Sequence, residues 1–406
     1  MENIWVKNFA NRTQKMQSSA IRELLKISNL PGVISFAGGL PSPDVFPTKR
    51  FIEACDILLR ERGDQALQYG TTEGFLPLRE MICERSGRYG IHINPENVLI
   101  TNGSQQALDL IGKVFINEGD KILCESPTYL GAIQAWRVYG ADFVSVDTDA
   151  DGMIPESLES KMDQNPKLLY LLPNFQNPMG CTLSEERRHK IIGIAHKYQV
   201  PIIEDDPYGQ LRFEGNHLSP VLLLDAELRG NHSNEYNGNV IYLSTFSKIL
   251  APGLRLAWAI APKEVILKLV QAKQGADLHT STFAQMVAHQ VCKNNFLDDH
   301  IPFIREVYGK RRNLMIELIE EVFPPGVSYV RPEGGLFLWI TTPPEIDTTE
   351  LLPLAVAEKV AYVPGTPFYP NGGGHNTMRL NFSNASEEEI RQGMTRLGEV
   401  LKKALA

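Results

Sequence analysis

The sequence predicts an α/β protein: a large domain with a mostly parallel sheet flanked by helices, followed by a smaller α+β domain. Three observations carry this expectation. Apolar strand-like runs alternate with amphipathic helical segments from about residue 98 to about residue 262. The pattern changes after about residue 295, where a long helical stretch introduces a second group of strands. The chain has 406 residues, 43% hydrophobic and 22% charged, enough for a substantial core and more than one domain. The expected division is an arm and loop over 1–50, a large domain over 51–295 and a small domain over 296–406.

In chain order, residues 18–27 (SSAIRELLKI) read as a short helix with Ser at its cap and Glu in its first turns. The following NLPGVISFAGGLPSPDVFP is too rich in Gly and Pro for regular helix. VLITNG reads as strand and SQQALDLIGKVFI as helix, because Ala107, Leu110, Ile111, Val114 and Phe115 fall on one face at helical spacing. KILCES (strand), TYLGAIQAWRVYG (helix), DFVSVD (strand), a short helix and KLLYLLP (strand) come next. SEERRHKIIGIAHKYQ is an amphipathic helix with its acids at the positive end of the dipole. VPIIEDD and NVIYLST continue the strands. Such alternation implies right-handed crossovers and a site at the strand carboxyl ends. Beyond, a helix over roughly 301–323 leads to strands in VSYVRP, GGLFLWIT, VAYVP and TMRLNFS, with a helix near 349–359. The last helix starts at Ser386, opens with Glu387, Glu388 and Glu389, and closes with Lys402 and Lys403. The N-terminal arm is expected to pack on this small domain or on a partner subunit.

Composition excludes several functions. Forty Lys and Arg against 48 Asp and Glu leave a net charge of −8 without a basic run, a poor match for nucleic acid or an anionic membrane. The five cysteines (Cys55, Cys83, Cys124, Cys181, Cys292) are scattered and form no CxxC pair, so neither a disulfide framework nor a zinc site is expected. No run approaches the ~18 apolar residues of a membrane span, and the N-terminus lacks a signal-peptide core. A cytoplasmic protein with reduced thiols is expected.

Several segments carry chemistry. Lys248 follows strand NVIYL in Ser244-Thr245-Phe246-Ser247-Lys248, and Arg255 comes seven residues later. A lone lysine at a strand end is usually solvated. Here the hydroxyls and Arg255 suggest a phosphate cradle, and a lysine beside one suits an aldehyde cofactor with a phosphate tail, which the amine captures as an imine. Glu204-Asp205-Asp206 ends an apolar strand. It is a solvated strand end or helix cap, or a carboxylate facing a protonated ring nitrogen, with Tyr208 in the same loop able to bond a ring hydroxyl. Metal binding is a weaker alternative, because no His or further acid lies close by. Pro173 to Gly180 is a tight turn that either only turns or holds the Asn177 amide toward a cofactor's ring oxygen. Thr101-Asn102-Gly103-Ser104-Gln105-Gln106 joins a strand to a helix, whose free N–H groups suit a phosphate. Tyr129 suits stacking on a flat ring, or plain core packing. Arg379 alternates with apolar neighbours on a strand and needs a carboxylate partner, either structural or the α-carboxylate of an amino acid.

Taken together, SFAGGLP (35–41), LQYGTTEG (67–74), TNGSQQALDL (101–110), FQNPMG (175–180), IIEDDPY (202–208), STFSKILAPGLR (244–255), AKQGADLHT (272–280) and NTMRLNFS (376–383) resemble the class I/II (fold type I) pyridoxal-phosphate-dependent aminotransferases over nearly the whole chain. Within them the sequence looks most like the 2-aminoadipate and kynurenine aminotransferase group. The resemblance implies that Lys248 is the Schiff-base lysine and proton shuttle and that Asp205 pairs with the pyridine nitrogen. It implies that Tyr208 and Asn177 bond the ring oxygen, with Asn177 also near the substrate, and that Tyr129 stacks on the ring. Ser104, Gln105, Thr245, Ser247 and Arg255 would take the phosphate. Tyr69 would reach the phosphate of the neighbouring subunit of a homodimer. Arg379 would clamp the substrate α-carboxylate, Gly39 would line the pocket, and Arg22 would meet a distal carboxylate. Thr245 stands where Ser is common and Met179 where Thr is common; neither removes a needed group. The implied reaction takes the amino group of an L-amino acid, 2-aminoadipate favoured, to a 2-oxo acid such as 2-oxoglutarate in ping-pong order. Aromatic or branched-chain donors are the alternative, and a β-lyase or decarboxylase is a more distant one. A regulator built on this fold would carry a DNA-binding winged helix in front, and about 30 residues before SFAGGLP are too few for one.

Overall fold

The computed structural model describes residues 3–16, 31–88, 90, 92–230 and 236–406. The helix expected over 18–27 lies outside them. At the centre is a seven-stranded sheet built from β1 (Val98–Thr101), β2 (Lys121–Glu125), β3 (Asp142–Val146), β4 (Leu168–Leu171), β5 (Ile202–Asp205), β6 (Val240–Thr245) and β7 (Ala257–Ile260), in the order β1-β7-β6-β5-β4-β2-β3. Six strands run one way, and β7 alone among them runs antiparallel to both its neighbours. Alternate residues feed two cores. Val98, Ile100, Leu169, Leu171 and Ile202 enter one; Leu99, Leu168, Tyr170 and Ile203 enter the other. This is why the strands read as nearly continuous apolar runs.

The helices that matter for the site are α1 (Ser104–Phe115), α2 (Leu130–Arg137), α3 (Glu185–Tyr198) and α4 (Val221–Leu228). α1 and α2 each begin two to five residues after a strand of the sheet ends, as the alternation predicts. The sequence reading named no strand at 257–260. Because β7 runs backwards, with Ala257 opposite both Thr101 and Thr245, the residues just before it arrive at the edge where the other strands end. That delivers Arg255 to the same edge as Thr245 and Ser104.

A second, four-stranded sheet holds β8 (Ser328–Val330), β9 (Phe337–Thr341), β10 (Val363–Pro364) and β11 (Thr377–Asn381), in the order β8-β9-β11-β10 and fully antiparallel. α5 (Phe296–Val322) packs along α6 (Glu387–Leu405), which starts at a Ser386–Glu389 capping box. α5 begins five residues before the predicted start and carries Pro302 internally. The chain before the large sheet is tied to this second sheet. Ile34–Ser35 pairs in parallel with Val360–Ala361, the Asn381 N–H donates to Phe36 O at 2.8 Å, and the Ser42 N–H donates to Tyr308 Oη at 3.0 Å. The segment carrying Gly39 is thereby held against β11, which carries Arg379.

Candidate active site

A cavity of about 330 Å³ opens at the carboxyl edge of the large sheet, facing β9 and β11. It is lined by Gly39, Ser104, Gln105, Tyr129, Asn177, Asp205, Tyr208, Thr245, Ser247, Lys248, Arg255 and Arg379. Twelve of the fourteen residues singled out in the sequence thus meet in one place. Tyr69 does not reach it: it is 79% exposed, with its ring edge-on to His279 at 5.7 Å. Arg22 lies outside the described residues.

Lys248 sits just past the end of β6, and its Nζ donates to Gly39 O at 2.8 Å. Burial, then the nearby guanidinium groups of Arg379 and Arg255, lower its ammonium from the ordinary 10.5 to about 8. More of the amine is therefore neutral and nucleophilic near neutral pH than for an ordinary lysine.

The acidic run at the end of β5 separates by strand alternation. Glu204 Oε1 and Oε2 accept the first N–H groups of α4, from Val221 and Leu222, both at 2.9 Å. Asp206 accepts from the Asn174 amide at 3.0 Å, the Gly209 N–H at 2.8 Å and Tyr242 Oη at 3.1 Å. Both are occupied in tying loops and helix starts to the sheet. Asp205 points the other way, into the cavity. One oxygen, Oδ2, accepts from Tyr170 Oη at 2.7 Å; the other, Oδ1, is buried without a partner. Burial pushes the carboxyl up to about 7, against the Tyr170 hydrogen bond, which lowers it.

Arg379 is buried on β11 between two aromatic rings, its guanidinium carbon 4.1 Å from the Phe337 centroid and 5.1 Å from that of Phe368. Nη1 donates to Asn177 Oδ1 at 2.7 Å and Nη2 to Ala37 O at 2.8 Å, while Nε has no partner. Its two bonds go to neutral oxygens, and burial lowers its pKa to about 10. A buried guanidinium in that state favours an incoming anion.

The remaining polar groups gather where α1 begins. Gly103 caps it at φ 77°, ψ 162°, a region essentially reserved for glycine. A Cβ there would overlap Arg255 Nη2, so the glycine also lets the arginine lie across the helix start. Ser104 Oγ is buried and unpartnered. Thr245 Oγ1 lies 2.9 Å from both Leu256 O and Ser247 Oγ and accepts the Ser247 N–H at 3.0 Å. Tyr129 Oη donates to Gln105 Oε1 at 3.5 Å, and burial raises its phenol to about 12. The Tyr208 phenol is likewise raised by burial, and its ring stands edge-on to Phe337 at 6.0 Å. The sequence reading missed Tyr170, Phe337, Leu40 and Leu172. None of them left a signal of its own: Tyr170, within the apolar run LLYLL, reads as a core aromatic.

A family model described as aminotransferase class I and II matches residues 34–397. The chain is 46% identical over 406 residues to an aromatic-amino-acid aminotransferase of Thermococcus litoralis, covering 98% of this chain and 95% of that protein. It is 44% identical over 403 residues to a 2-aminoadipate transaminase of Thermus thermophilus, covering 99% and 98%. Among solved structures, an α-aminoadipate aminotransferase of Thermus thermophilus complexed with N-(5'-phosphopyridoxyl)-L-leucine superposes with a TM-score of 0.92 at 42% identity, covering 99% of each chain. Pyridoxal phosphate fits the donor set present: an amine of lowered basicity, a buried carboxylate with one free oxygen, and an unpartnered hydroxyl beside an arginine at a helix start. With the family matched across most of its length, the chain belongs to the class I and II aminotransferases, enzymes that depend on pyridoxal phosphate.

Proposed function

We propose that this aminotransferase carries the amino group of an L-amino acid to a 2-oxo acid, with 2-aminoadipate as favoured donor and 2-oxoglutarate as acceptor, in ping-pong order. The observation that carries the reading is the convergence on one cavity of the Lys248 amine, the unpartnered Asp205 Oδ1 and the buried Arg379 guanidinium. Pyridoxal phosphate, when bound, supplies the aldehyde carbon that takes the amino group and the electron-poor ring that makes the α-proton acidic.

The protein's part is then as follows. Lys248 Nζ would hold the cofactor at rest, and once free of it would be the amine within reach to move the substrate's α-proton. Asp205, with its unpartnered Oδ1, would pair with the pyridine nitrogen and keep it protonated. Tyr208 and Asn177 would bond the ring oxygen, and Tyr129 would stack on the ring. The start of α1 with Ser104 and Gln105, together with Thr245, Ser247 and Arg255, takes the phosphate. Arg379 grips the α-carboxylate; two of its five N–H donors are used by Asn177 and Ala37, so three remain. Gly39 lines the substrate side, its carbonyl already on Lys248.

The same reading makes the enzyme a cytoplasmic homodimer, with Tyr69, exposed and outside its own cavity, bonding the phosphate in the neighbouring subunit. Arg22 is assigned to the distal carboxylate of the donor. Aromatic or branched-chain donors are the second reading, favoured by the apolar Leu40 and Phe337 at the cavity and by the name of the Thermococcus relative. Turnover with 2-aminoadipate, glutamate, leucine, phenylalanine and kynurenine, each against 2-oxoglutarate, separates the two. The highest kcat/KM is expected for 2-aminoadipate, and Arg22→Ala is expected to lower it for the two dicarboxylic donors while sparing leucine. An equal loss on every donor would remove Arg22 from the distal-carboxylate role.

A further inference from the structure

Tyr170 lies on β4, one strand over from Asp205, and its ring is fully buried. Trp136 of α2 stands edge-on to that ring, with centroids 5.1 Å apart at 84°, and is itself anchored by Nε1 donating to Leu108 O at 2.8 Å. The phenol oxygen ends 2.7 Å from Asp205 Oδ2. Asp205 lines the cavity, and its Oδ1 has no partner among the described residues.

We propose that Tyr170 is a positioning residue for the cofactor: its hydroxyl fixes the Asp205 carboxylate with Oδ1 toward the cavity and keeps it a weaker base than the ring nitrogen it faces. The proposal rests on the reading that Asp205 meets the pyridine nitrogen. A carboxylate held by one oxygen cannot turn the other away from the ring without breaking a charge-assisted hydrogen bond. Donation into Oδ2 draws electron density from the carboxylate, so a proton shared with the ring nitrogen stays on the ring, where it is needed to stabilise a carbanion. The hydroxyl opposes the effect of burial, which by itself drives Asp205 toward its neutral form. Burial also keeps the Tyr170 phenol protonated and hence a donor.

The alternative is that Tyr170 only satisfies its own buried hydroxyl, using the nearest acceptor. Stability does not separate the two; the state of the ring nitrogen does. The experiment reconstitutes wild-type, Tyr170→Phe and Asp205→Asn enzymes with cofactor labelled with ¹⁵N in the ring, and measures the ¹⁵N shift and the cofactor dissociation constant. Tyr170→Phe keeps the ring against Trp136 and removes one oxygen. It is expected to move the ¹⁵N resonance part of the way from pyridinium toward neutral pyridine, in the direction of Asp205→Asn, and to weaken cofactor binding roughly 10-fold or more, as the loss of a hydrogen bond to a charged group does. A wild-type shift and dissociation constant in Tyr170→Phe, with Asp205→Asn displaced, would overturn the proposal and leave the Asp205 reading standing. A wild-type shift in Asp205→Asn would remove that reading and the proposal with it. If the Phe variant does not fold, 3-fluorotyrosine at position 170, a stronger donor, is expected to move the Asp205 carboxyl ¹³C resonance in the holoenzyme; an unmoved resonance overturns the proposal.

Discussion

Burial and the guanidinium groups of Arg379 and Arg255 bring Lys248 down to about 8, and that shift has a sign that can be tested. The neutral amine is the nucleophile, so capture of pyridoxal phosphate by the cofactor-free protein should accelerate as pH rises through about 8 and then level off. A midpoint near the ordinary lysine value of 10.5 in stopped-flow absorbance would contradict the environment described. Lys248→Ala should fold normally yet lose roughly 100- to 10,000-fold or more in turnover, because both the anchor and the proton carrier go with it. Full activity in that variant would end the assignment. Arg379→Lys should raise KM for every amino acid, with a loss of about 10- to 100-fold in kcat/KM, since an ammonium cannot make a two-pronged contact with a carboxylate. An unchanged KM across the donor panel would rule out the role. At this scale the sequence was informative where residue type and company coincide. Lys248 between hydroxyls and an arginine is readable, but which acid of Glu204-Asp205-Asp206 faces the cavity depends on the phase of β5. Tyr170 was unreadable, because a tyrosine in an apolar strand looks like any core aromatic until its neighbour strand is known.

The turn from β1 into α1 shows how one element serves the site. Gly103 takes a backbone conformation that other residues avoid, and the space a side chain would fill holds the Arg255 guanidinium. The turn is braced from behind: Asp277 Oδ2 accepts from the Asn102 amide at 2.5 Å and the Gln106 amide at 2.6 Å, and the fully buried Lys273 Nζ donates to it at 2.7 Å. Gly103→Ala should weaken cofactor binding about 10-fold or more, from backbone strain of roughly 1–2 kcal/mol plus displacement of Arg255, while leaving the remote α6 helix intact. Unaltered affinity by fluorescence titration would show that the turn tolerates a side chain. The helices and parallel strands were legible because their periods differ and their caps are explicit, as at Ser184 and Ser386. β7 was not, since AWAI is apolar throughout and such a run carries no sign of its direction. The early start of α5 was hidden by Pro302, which sequence rules place in a first turn rather than inside a helix.

For the whole molecule, the two sheets face each other across the cavity, and the segment around Gly39 bridges them through Lys248 and through β11. Much apolar surface remains outside: Leu67 and Tyr69 are 75% and 79% exposed, as are large parts of Ile52 and the short N-terminal helix at Ile4–Lys7. The proposed homodimer, with Tyr69 reaching a second cavity, would cover part of this surface. Tyr69→Phe should then leave the sedimentation of the dimer unchanged while loosening cofactor retention; a variant that holds cofactor as wild type would place Tyr69 outside the site. The two-sheet architecture could be read from pattern alone, because strand and helix periods are local to each segment. The assembly could not, because an exposed tyrosine in a loop reads the same whether it meets water or a partner.

Lys248 and the groups around it are expected to form a working pyridoxal-phosphate site for amino-group transfer. The visible absorption spectrum of the purified enzyme, before and after single amino donors and then 2-oxoglutarate, tests it most directly. A visible band from cofactor bound through Lys248 is expected, falling on addition of 2-aminoadipate and returning with 2-oxoglutarate. No band after incubation with pyridoxal phosphate, or a band that no donor changes, would contradict it.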